Sequence, residues 1–249
     1  MIGRDEYRGL APYYDIFIDW KNRLASEIPF LLEVAGVRWK TRARVLDIGC
    51  GSGRHLAVLR EAGCEVEGSE PSEHLRRLAE ENIPGAIIHP WGMEDLGILS
   101  GSRGPWDLTT CLGNTLPHLP PDSLSTFLAS LRMAVGKSES SAVLHLLNYE
   151  KILERRPAQL PVKTAIHGGN TYRFERFYDY GRESLDFTIR VWENDSLAAE
   201  NRETLYPITA ETLKKNAIDA GFGRISLYDG FDMGKLYTPD SDNLLLVLA

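Results

Sequence analysis

Val45-Leu46-Asp47-Ile48-Gly49-Cys50-Gly51-Ser52-Gly53 is the stretch of this sequence that decides the fold. Its apolar run ends in an acidic residue and a glycine-rich turn, and a helix-like segment over 54–62 follows. A second apolar run, over 64–69, ends at the acid Glu70. Glycines let the backbone pass close to a ligand because they carry no Cβ, and an acid after the second strand can accept hydrogen bonds from both hydroxyls of a ribose. The pattern therefore predicts a site for an adenosyl group at the carboxyl ends of two parallel strands.

The spacing of the glycines separates two kinds of ligand. A dinucleotide fingerprint needs G-x-G-x-x-G, with a helix N-terminus facing a pyrophosphate. Here the glycines fall as G-x-G-x-G, and Leu56 stands where the third fingerprint glycine would be. A carboxylate at Asp47 also suits a ligand with an ammonium group better than a pyrophosphate. The D-x-G-x-G-x-G pattern is similar to motif I of the class I methyltransferases, which bind S-adenosylmethionine; a nucleotide-binding turn and a glycine-rich turn without a ligand are the alternatives.

Length, charge and cysteines narrow the classes of function. The 249 residues, 43% of them hydrophobic, suffice for one α/β domain with an insertion. The net charge of -7 and the lack of a Lys/Arg-rich run predict no nucleic-acid partner. Residues 1–7 lack the apolar core of a secretory signal, and no stretch approaches the roughly 20 apolar residues of a membrane span. Three cysteines without metal-ligand spacing predict core residues, no metal site and a reducing, cytoplasmic location.

Strands alternate with helices through the first part of the chain. We predict strands at 44–48, 65–69, 86–89, 108–112 and 142–147, and helices at 54–62, 71–82 and 121–135, the last with Asp122 as its N-cap. This alternation implies an α/β fold with a doubly wound, mostly parallel, Rossmann-like sheet of the class I methyltransferase type.

The pattern changes to period two over residues 151–207. Runs at 172–178 and 185–192 predict an antiparallel hairpin that a third strand at 202–206 joins. A helix at 209–220 and strands at 224–228 and 243–248 complete the chain. We expect a single methyltransferase domain over 1–249, in which 151–207 is an inserted antiparallel sheet that covers the substrate and 1–40 is an N-terminal helical lid. Within the lid, Gly36 is the expected end of the helix.

Several further segments resemble the glycine N-methyltransferase-like branch of the small-molecule methyltransferases. They lie at 44–53, 111–120, 148–150, 185–188 and 202–207, with a weaker match at 17–23. The segment after the fourth strand, Gly113-Asn114-Thr115-Leu116-Pro117-His118, is not the Asn/Asp-Pro-Pro-Tyr/Phe pattern of enzymes that methylate amide or base nitrogens. This difference argues against a nucleic-acid or glutamine substrate.

The resemblance implies S-adenosyl-L-methionine as the cofactor, released as S-adenosyl-L-homocysteine. Arg23 would pair with its carboxylate, the backbone of Leu112 would meet its amino-acid end, and Trp91 and Met93 would either pack on its adenine or fill a surface groove. The full set of expected cofactor residues is Arg23, Asp47, Gly49, Gly51, Gly53, Glu70, Trp91, Gly92, Met93 and Leu112.

Catalytic and substrate-binding roles follow from the same resemblance. Asn114 and His118 would face the substrate and Tyr14 would line the lid. A hydroxyl acceptor would need a general base, and His118 is the obvious one near the site; alternatively, His118 only orders its loop. The expected substrate-binding residues are Asn148, Arg173, Arg202 and Tyr206.

Two departures from the family bear on the acceptor. The arginine that clamps the glycine carboxylate in the family is Leu147 here, and a tyrosine that follows Leu-Asp is Phe187. Because a buried carboxylate without a partner is strongly disfavoured, glycine is a poor acceptor unless another arginine reaches in. The candidates from the inserted sheet are Arg173, Arg176 and Arg202.

We therefore predict methyl transfer to a small-molecule acceptor, at nitrogen rather than oxygen. Glycine or sarcosine N-methylation proper remains an alternative, as does a non-catalytic S-adenosylmethionine-binding sensor or regulatory protein. The sequence predicts neither the identity of the acceptor nor the oligomeric state.

Overall fold

The structure, a computed structural model, describes residues 9–36, 42–136 and 139–249. Its helices are α1 Ala11–Phe17, α2 Trp20–Val34, α3 Arg54–Glu61, α4 Glu73–Asn82, α5 Leu96–Arg103, α6 Leu124–Val135, α7 Tyr149–Arg155 and α8 Ala210–Asp219. Its strands are β1 Arg44–Ile48, β2 Glu65–Ser69, β3 Ile87–His89, β4 Leu108–Cys111, β5 Ser141–Leu147, β6 Gln159–His167, β7 Asn170–Tyr180, β8 Leu185–Glu193, β9 Ser196–Leu205, β10 Ile225–Tyr228 and β11 Asn243–Leu248.

Seven strands form the main sheet in the order β10-β11-β5-β4-β1-β2-β3. The pairs that β1 makes with β2 and β4 are parallel, as are β2 with β3 and β4 with β5, whereas β11 runs antiparallel to both β5 and β10. The predicted doubly wound, mostly parallel sheet is confirmed. Its strand order reverses at β1 and β4, so ligands are expected beyond the carboxyl ends of these two strands.

Helices cover both faces of the main sheet. Leu46 and Ile48 of β1 pack in one core cluster with residues of α5, α6 and α8, and Val45 packs in the other with residues of α2, α3 and α4. Side chains of β1 alternate between the two faces, and both faces are buried, which explains the almost continuous apolar run of this strand.

The other four strands form an antiparallel sheet in the order β6-β7-β8-β9. The predicted hairpin is β7 with β8, in which Tyr178 lies opposite Phe187, and β9 joins it as expected. Part of this sheet packs with α1 in a separate small core that contains Leu10, Phe174 and Val191. Tyr178, Leu185 and Leu205 instead join the main core, so the inserted sheet is continuous with the rest of the molecule.

Two details at helix ends differ from the prediction. The N-terminal helical segment is broken between α1 and α2, where Asp19 caps α2 by accepting a hydrogen bond from the backbone N–H of Asn22 at 3.3 Å. Asp122 is not the N-cap of α6, because a short 3₁₀ turn at Pro121–Ser123 precedes that helix. Residues 1–8 and 37–40 of the predicted lid lie outside the described residues.

None of the helices in the described ranges is long and apolar enough to cross a membrane.

Candidate active site

A large cavity lies between the carboxyl edge of the main sheet, the N-terminal helices and the inner face of the inserted sheet. Its volume is about 1570 Å³, whereas a pocket for one small ligand typically measures about 300–1,000 Å³. The cavity therefore has room for two ligands side by side. It contains many of the residues that the sequence predicted for the site, namely Tyr14, Arg23, Gly49, Gly51, Glu70, Trp91, Gly92, Met93, Asn114 and His118.

The glycine-rich turn after β1 forms part of the cavity floor. Gly49 and Gly51 have φ angles of +66° and +57°, in the left-handed region that favours glycine. A Cβ on Gly51 would lie 2.7 Å from the hydroxyl oxygen of Tyr14, and a Cβ on Gly49 would lie 2.6 Å from Cγ2 of Thr115. The turn therefore needs glycine both for its backbone conformation and for the close approach of α1 and the segment after β4.

Glu70 lies directly after β2, beside this turn, and is 5% exposed. Its Oε2 accepts a hydrogen bond from the backbone N–H of Gly51 at 2.9 Å, and its Oε1 accepts one from the N–H of Ser72 at 2.9 Å. Each carboxylate oxygen can accept a second hydrogen bond. Burial raises the pKa of Glu70 to about 7, although these two backbone N–H groups act in the opposite direction.

Arg23 of α2 reaches the cavity across from the glycine-rich turn. Its Nε donates to Oε1 of Glu27 at 2.8 Å, and a Cβ on Gly113 would lie 2.9 Å from its Nη2. Glu27 is itself held by Nε2 of His55 at 2.5 Å. Burial raises the pKa of Glu27, but the hydrogen bond from His55 and the charge of Arg23 outweigh it and leave the pKa lowered. A charged Glu27 thus fixes the guanidinium at the cavity edge.

His145 of β5 sets the position of the segment after β4. Burial lowers the pKa of His145 to about 4, so its ring is neutral at physiological pH. Its Nδ1 accepts a hydrogen bond from the backbone N–H of Gly113 at 3.3 Å, and its Nε2 lies 3.2 Å from Oδ1 of Asn243. A neutral imidazole with its proton on Nε2 satisfies both contacts.

His118 has a carboxylate partner from the inserted sheet. Its Nδ1 lies 3.0 Å from Oε2 of Glu203, whose side chain is 4% exposed. The other oxygen of Glu203 accepts a hydrogen bond from Nδ2 of Asn201 at 2.7 Å. All three side chains line the cavity. An imidazole whose Nδ1–H donates to a carboxylate has Nε2 as its proton acceptor, which is the arrangement of a general base.

Asn114 lines the cavity, but its amide is also engaged in the fold. Its Oδ1 accepts from the backbone N–H of Leu147 at 3.1 Å, and its Nδ2 donates to the hydroxyl of Tyr149 at 2.9 Å. Its φ of +69° is one that asparagine tolerates better than most residues. These hydrogen bonds show that Asn114 stabilises the loop that carries His118.

Trp91, Gly92 and Met93 follow β3 and line the cavity on the side of Glu70. The Trp91 ring stacks on His89, with ring centroids 5.1 Å apart and planes within 4°. This stacking holds the indole in one orientation at the cavity wall.

Three expected cofactor residues do not line the cavity. Asp47 is 2% exposed and accepts a hydrogen bond from the hydroxyl of Thr110 at 2.6 Å, so β4 holds its carboxylate. Gly53 begins α3, and a Cβ there would meet Ile83 at 2.7 Å. The Leu112 carbonyl accepts from the hydroxyl of Thr115 at 2.7 Å. All three residues are buried.

The four expected substrate residues also lie elsewhere. Asn148 caps α7 and donates to the carbonyls of Pro239 and Ser241, and Tyr206 borders a separate pocket of about 230 Å³. Arg173 pairs with Glu175 and lies over the Trp192 ring. Arg202 pairs with Asp186 at 2.6 Å on the outer face of the inserted sheet. None of the four lines the cavity. Arg173 and Arg202 point to the opposite face of their strands from Arg176 and Glu203, because successive residues of a strand alternate between faces, whereas Asn148 and Tyr206 lie outside the strands.

The inner face of the inserted sheet instead presents residues that sequence reasoning missed or left open. Glu203, Asn201 and Lys163 were missed, and Arg176 is the one arginine of the three candidates that lines the cavity. The period-two pattern of β7 and β9 could have identified them. The apolar residues Phe174, Tyr178 and Leu205 mark the inner face of the sheet, and Arg176 and Glu203 lie on that same face. Among the residues that the structure describes, no group of three His, Cys, Asp or Glu side chains could hold a metal ion.

Comparison with known proteins agrees with this geometry. Residues 45–137 match the family model described as a methyltransferase domain. The chain is similar to a glycine/sarcosine N-methyltransferase of Halorhodospira halochloris, with 29% identity over 236 residues that make up 90% of this chain and 81% of the relative. It is also similar to a dTDP-3-amino-3,6-dideoxy-alpha-D-glucopyranose N,N-dimethyltransferase of Streptomyces fradiae, with 34% identity over 46% of this chain and 44% of the relative.

Among solved structures, the fold is similar to DesVI of Streptomyces venezuelae. The TM-score is 0.76, with 16% sequence identity, and the match covers 96% of this chain and 97% of that one. The glycine-rich turn, the acid after β2, the sheet order and these matches agree: residues 45–137 form a methyltransferase domain of the class I S-adenosylmethionine-dependent type, S-adenosyl-L-methionine is its cofactor, and the chain is similar to the glycine N-methyltransferase-like branch.

Proposed function

We propose that the protein transfers the methyl group of S-adenosyl-L-methionine to the nitrogen of a small-molecule amine, with His118 and Glu203 receiving the proton that the amine must lose. The observation that carries this proposal is the His118–Glu203 pair, which lines the same cavity as the glycine-rich turn and Glu70. The relatives named above are N-methyltransferases of an amino acid and of an amino sugar, which supports nitrogen as the acceptor atom.

The residues at the cavity floor fit the cofactor. Gly49 and Gly51 allow the left-handed turn that packs closely against Thr115 and Tyr14, and Glu70 offers two carboxylate oxygens that each keep one acceptor position for a ribose hydroxyl. We assign Arg23 to the carboxylate of the cofactor, because Glu27 fixes its guanidinium beside Gly113. We also propose that α1 and α2 form a lid over this site.

When bound, the cofactor supplies a methyl group on a positively charged sulfur. The acceptor nitrogen must present its lone pair, yet an aliphatic amine with a pKa near that of lysine, about 10.4, is protonated at neutral pH. Glu203 orients His118 so that Nε2 can take this proton, and the amine then forms the new C–N bond as the S–C bond breaks. Holding the two partners in line can contribute about 7–11 kcal/mol toward the barrier.

Glycine is not the acceptor that this cavity favours. Leu147 and Phe187, which replace the arginine and the tyrosine of the glycine-methylating family, both line the cavity. A non-catalytic sensor is the second candidate. It would bind the cofactor but transfer no methyl group.

The test is transfer of a labelled methyl group to a panel of amino acids, amino sugars and their hydroxyl counterparts. We expect amines to accept the label, and we expect Glu70→Ala to weaken cofactor binding in calorimetry. Glu203→Gln should keep cofactor affinity and lower turnover by about 10²–10⁴-fold, as expected when a general base is disabled.

Glu200→Gln is the matched control for Glu203→Gln, because Glu200 lies on the outer face of the same strand and pairs with Arg190. Full activity of Glu203→Gln would contradict the proton-transfer role. Tight cofactor binding without transfer to any member of the panel would favour the sensor.

We further propose that the protein works in a reducing compartment, the cytoplasm, and has no nucleic-acid partner. Cys50, Cys64 and Cys111 are free and buried, and the net charge is -7. Free buried thiols suit a reducing compartment, and an acidic chain is a poor match for a phosphate backbone.

A further inference from the structure

Two positively charged side chains line the cavity on the side of the inserted sheet, away from the His118–Glu203 pair. Lys163 of β6 and Arg176 of β7 are on the inner face of the inserted sheet and line the cavity. Lys163 lies opposite Phe174 in the strand register, and Arg176 lies opposite Ile189. Their surroundings on this face are therefore largely apolar.

Neither cation forms an ion pair with a carboxylate within the described parts of the chain. The Nζ of Lys163 lies 4.5 Å from the centre of the Phe17 ring, and the guanidinium carbon of Arg176 lies 5.5 Å from it. The acid whose charge acts on Lys163 is Asp19, and Asp19 is engaged as the cap of α2. The two positive groups thus share one aromatic ring and lack a neutralising anion.

The charges and hydrogen-bonding groups of Lys163 and Arg176 favour the binding of an anion. Burial lowers the pKa of Lys163, and the positive charges of Arg176 and Arg23 lower it further. Nη2 of Arg176 donates to the Pro161 carbonyl at 2.7 Å, but its Nε is buried without a hydrogen-bond partner. The guanidinium therefore has unused hydrogen-bonding capacity, and an anion in the cavity would pair with the two positive groups and relieve the repulsion between them.

We infer that Lys163 and Arg176 form a subsite for an anionic group of the methyl acceptor, so that the acceptor is an amine that also carries a carboxylate or a phosphate. This inference rests on the proposed function, because it places the reacting nitrogen at His118 and Glu203. It names a contact that replaces the arginine lost at Leu147, on a different element and at a different place in the cavity.

The strand register indicates how far apart the two ends of the acceptor lie. Arg176 is opposite Ile189, Ile189 is opposite Asn201, and Glu203 follows two residues along β9. With neighbouring strands about 4.8 Å apart and a rise of about 3.4 Å per residue, the backbones of Arg176 and Glu203 are about 12 Å apart. The subsite therefore favours an acceptor in which several bonds separate the amine from the anion over glycine itself.

The first test compares acceptors in pairs of which one member lacks the anionic group: amino acids against their methyl esters, and phosphorylated amines against their dephosphorylated forms. In the double variant Lys163→Gln/Arg176→Gln, we expect KM for the anionic member to rise about 10- to 100-fold, the range for a lost hydrogen bond to a charged group. We expect kcat to stay within a few-fold, and KM for the neutral member to change little. The carboxylate and phosphate pairs show which anion the subsite takes.

Cofactor affinity separates this inference from the obvious alternative, since the charge of Arg23 acts on Lys163 and the two cations could instead serve the cofactor carboxylate. We expect calorimetry to give the same affinity for S-adenosyl-L-homocysteine in the double variant and the wild type. A parallel loss of cofactor affinity, or an equal effect on charged and neutral acceptors, would overturn the inference. Arg190→Gln is the matched control, because Arg190 pairs with Glu200 on the outer face.

A second measurement does not depend on turnover. Inorganic pyrophosphate should bind to the protein loaded with S-adenosyl-L-homocysteine and should not bind to the loaded double variant. If no acceptor in the panel is methylated but pyrophosphate binds in this way, the subsite stands and the proposed activity fails. If pyrophosphate binds both proteins equally, the subsite is refuted; if it binds neither, and the double variant also leaves KM for the carboxylate acceptors unchanged, the subsite is refuted as well.

Discussion

The chemistry of the cofactor site depends, at the scale of single residues, on the burial of Glu70. Burial raises its pKa to about 7, and the backbone N–H groups of Ser72 and Gly51 only partly oppose this effect. The raised pKa means that the folded protein keeps a proton on Glu70 at pH values where the unfolded chain has lost it. The contribution of this group to the free energy of unfolding therefore falls as pH rises between about 4.5 and 7.

Cofactor binding should have the opposite dependence on pH. In the proposed binding mode ribose hydroxyls donate to the ionised carboxylate, so the fraction of ionised Glu70 would limit the affinity. With a pKa of about 7, this fraction rises from about one tenth at pH 6 to about nine tenths at pH 8, and we expect the affinity for S-adenosyl-L-methionine to rise about tenfold over that range. Calorimetry of Glu70→Gln should show weak binding without this slope. Glu80→Gln, an exposed change on α4, should keep the wild-type profile; an unchanged slope in Glu70→Gln would assign it to another group.

Single residues also show which positions at the cavity could be predicted from the sequence and which could not. Gly49, Gly51 and Glu70 were predictable because the backbone geometry of the turn needs particular residue types at fixed spacing. Arg202 and Glu203 were not, because a shift of one residue along a strand moves a side chain to the opposite face. The pattern of β9 located the strand, but it could not show that a carboxylate would occupy the inner face beside His118.

Elements were predicted well where their packing repeats in the sequence, and β1, β2 and β11 have the predicted bounds. Three elements were missed. Helix α5 contains Gly97 and Gly101, each costing about 1 kcal/mol of helix propensity, and it forms because Leu96 and Leu99 are buried in the core. Strand β6 contains Pro161 and lies at the sheet edge, which is where proline is tolerated. Helix α7 has only 7 residues, too few for its periodicity to stand out.

A contact between elements holds α1 against the glycine-rich turn. Asp15 of α1 accepts hydrogen bonds from the hydroxyl of Ser52 at 2.5 Å and from Nε and Nη2 of Arg54 at 2.9 and 2.6 Å. Its Oδ1 also accepts from Nε1 of Trp20 at 2.9 Å. Because Ser52 and Arg54 lie one and three residues after Gly51, this carboxylate ties the proposed lid to the segment that we propose contacts the cofactor.

Asp15→Asn should weaken this tie, because an amide nitrogen cannot accept the hydrogen bonds of Arg54. The pair is partly exposed, so we expect a modest effect: dissociation of S-adenosyl-L-homocysteine faster by a few-fold to about tenfold. Stopped-flow displacement measures this rate, and circular dichroism checks that the fold is intact. Glu33→Gln, an exposed change on α2, should leave the rate unchanged, and an unchanged rate in Asp15→Asn would show that α1 does not retain the cofactor.

At the scale of the whole molecule, three bodies enclose one cavity. The main sheet carries the glycine-rich turn and Glu70, the N-terminal helices carry Tyr14 and Arg23, and the inserted sheet carries Glu203, Lys163 and Arg176. The fold class and the insertion were predictable from the sequence. The way in which the three parts pack around the cavity was not, because it depends on long-range contacts such as that between Phe17 and Phe174, whose ring centroids are 5.2 Å apart. The division suggests that cofactor and acceptor contact different bodies.

Hydrogen exchange can test this division of labour. S-adenosyl-L-homocysteine should slow exchange over 49–54 and 70–72 and in α1, because its proposed contacts lie on the main sheet and the lid. Adding the acceptor should slow exchange further in β6, whose edge amides lack a neighbouring strand, and at the ends of β7. Helix α5 and strand β10 lie outside the cavity lining and serve as internal references. If the cofactor analogue alone protects β6 as fully as the ternary complex does, the inserted sheet closes with the lid as one unit, and separate roles for the two bodies are ruled out.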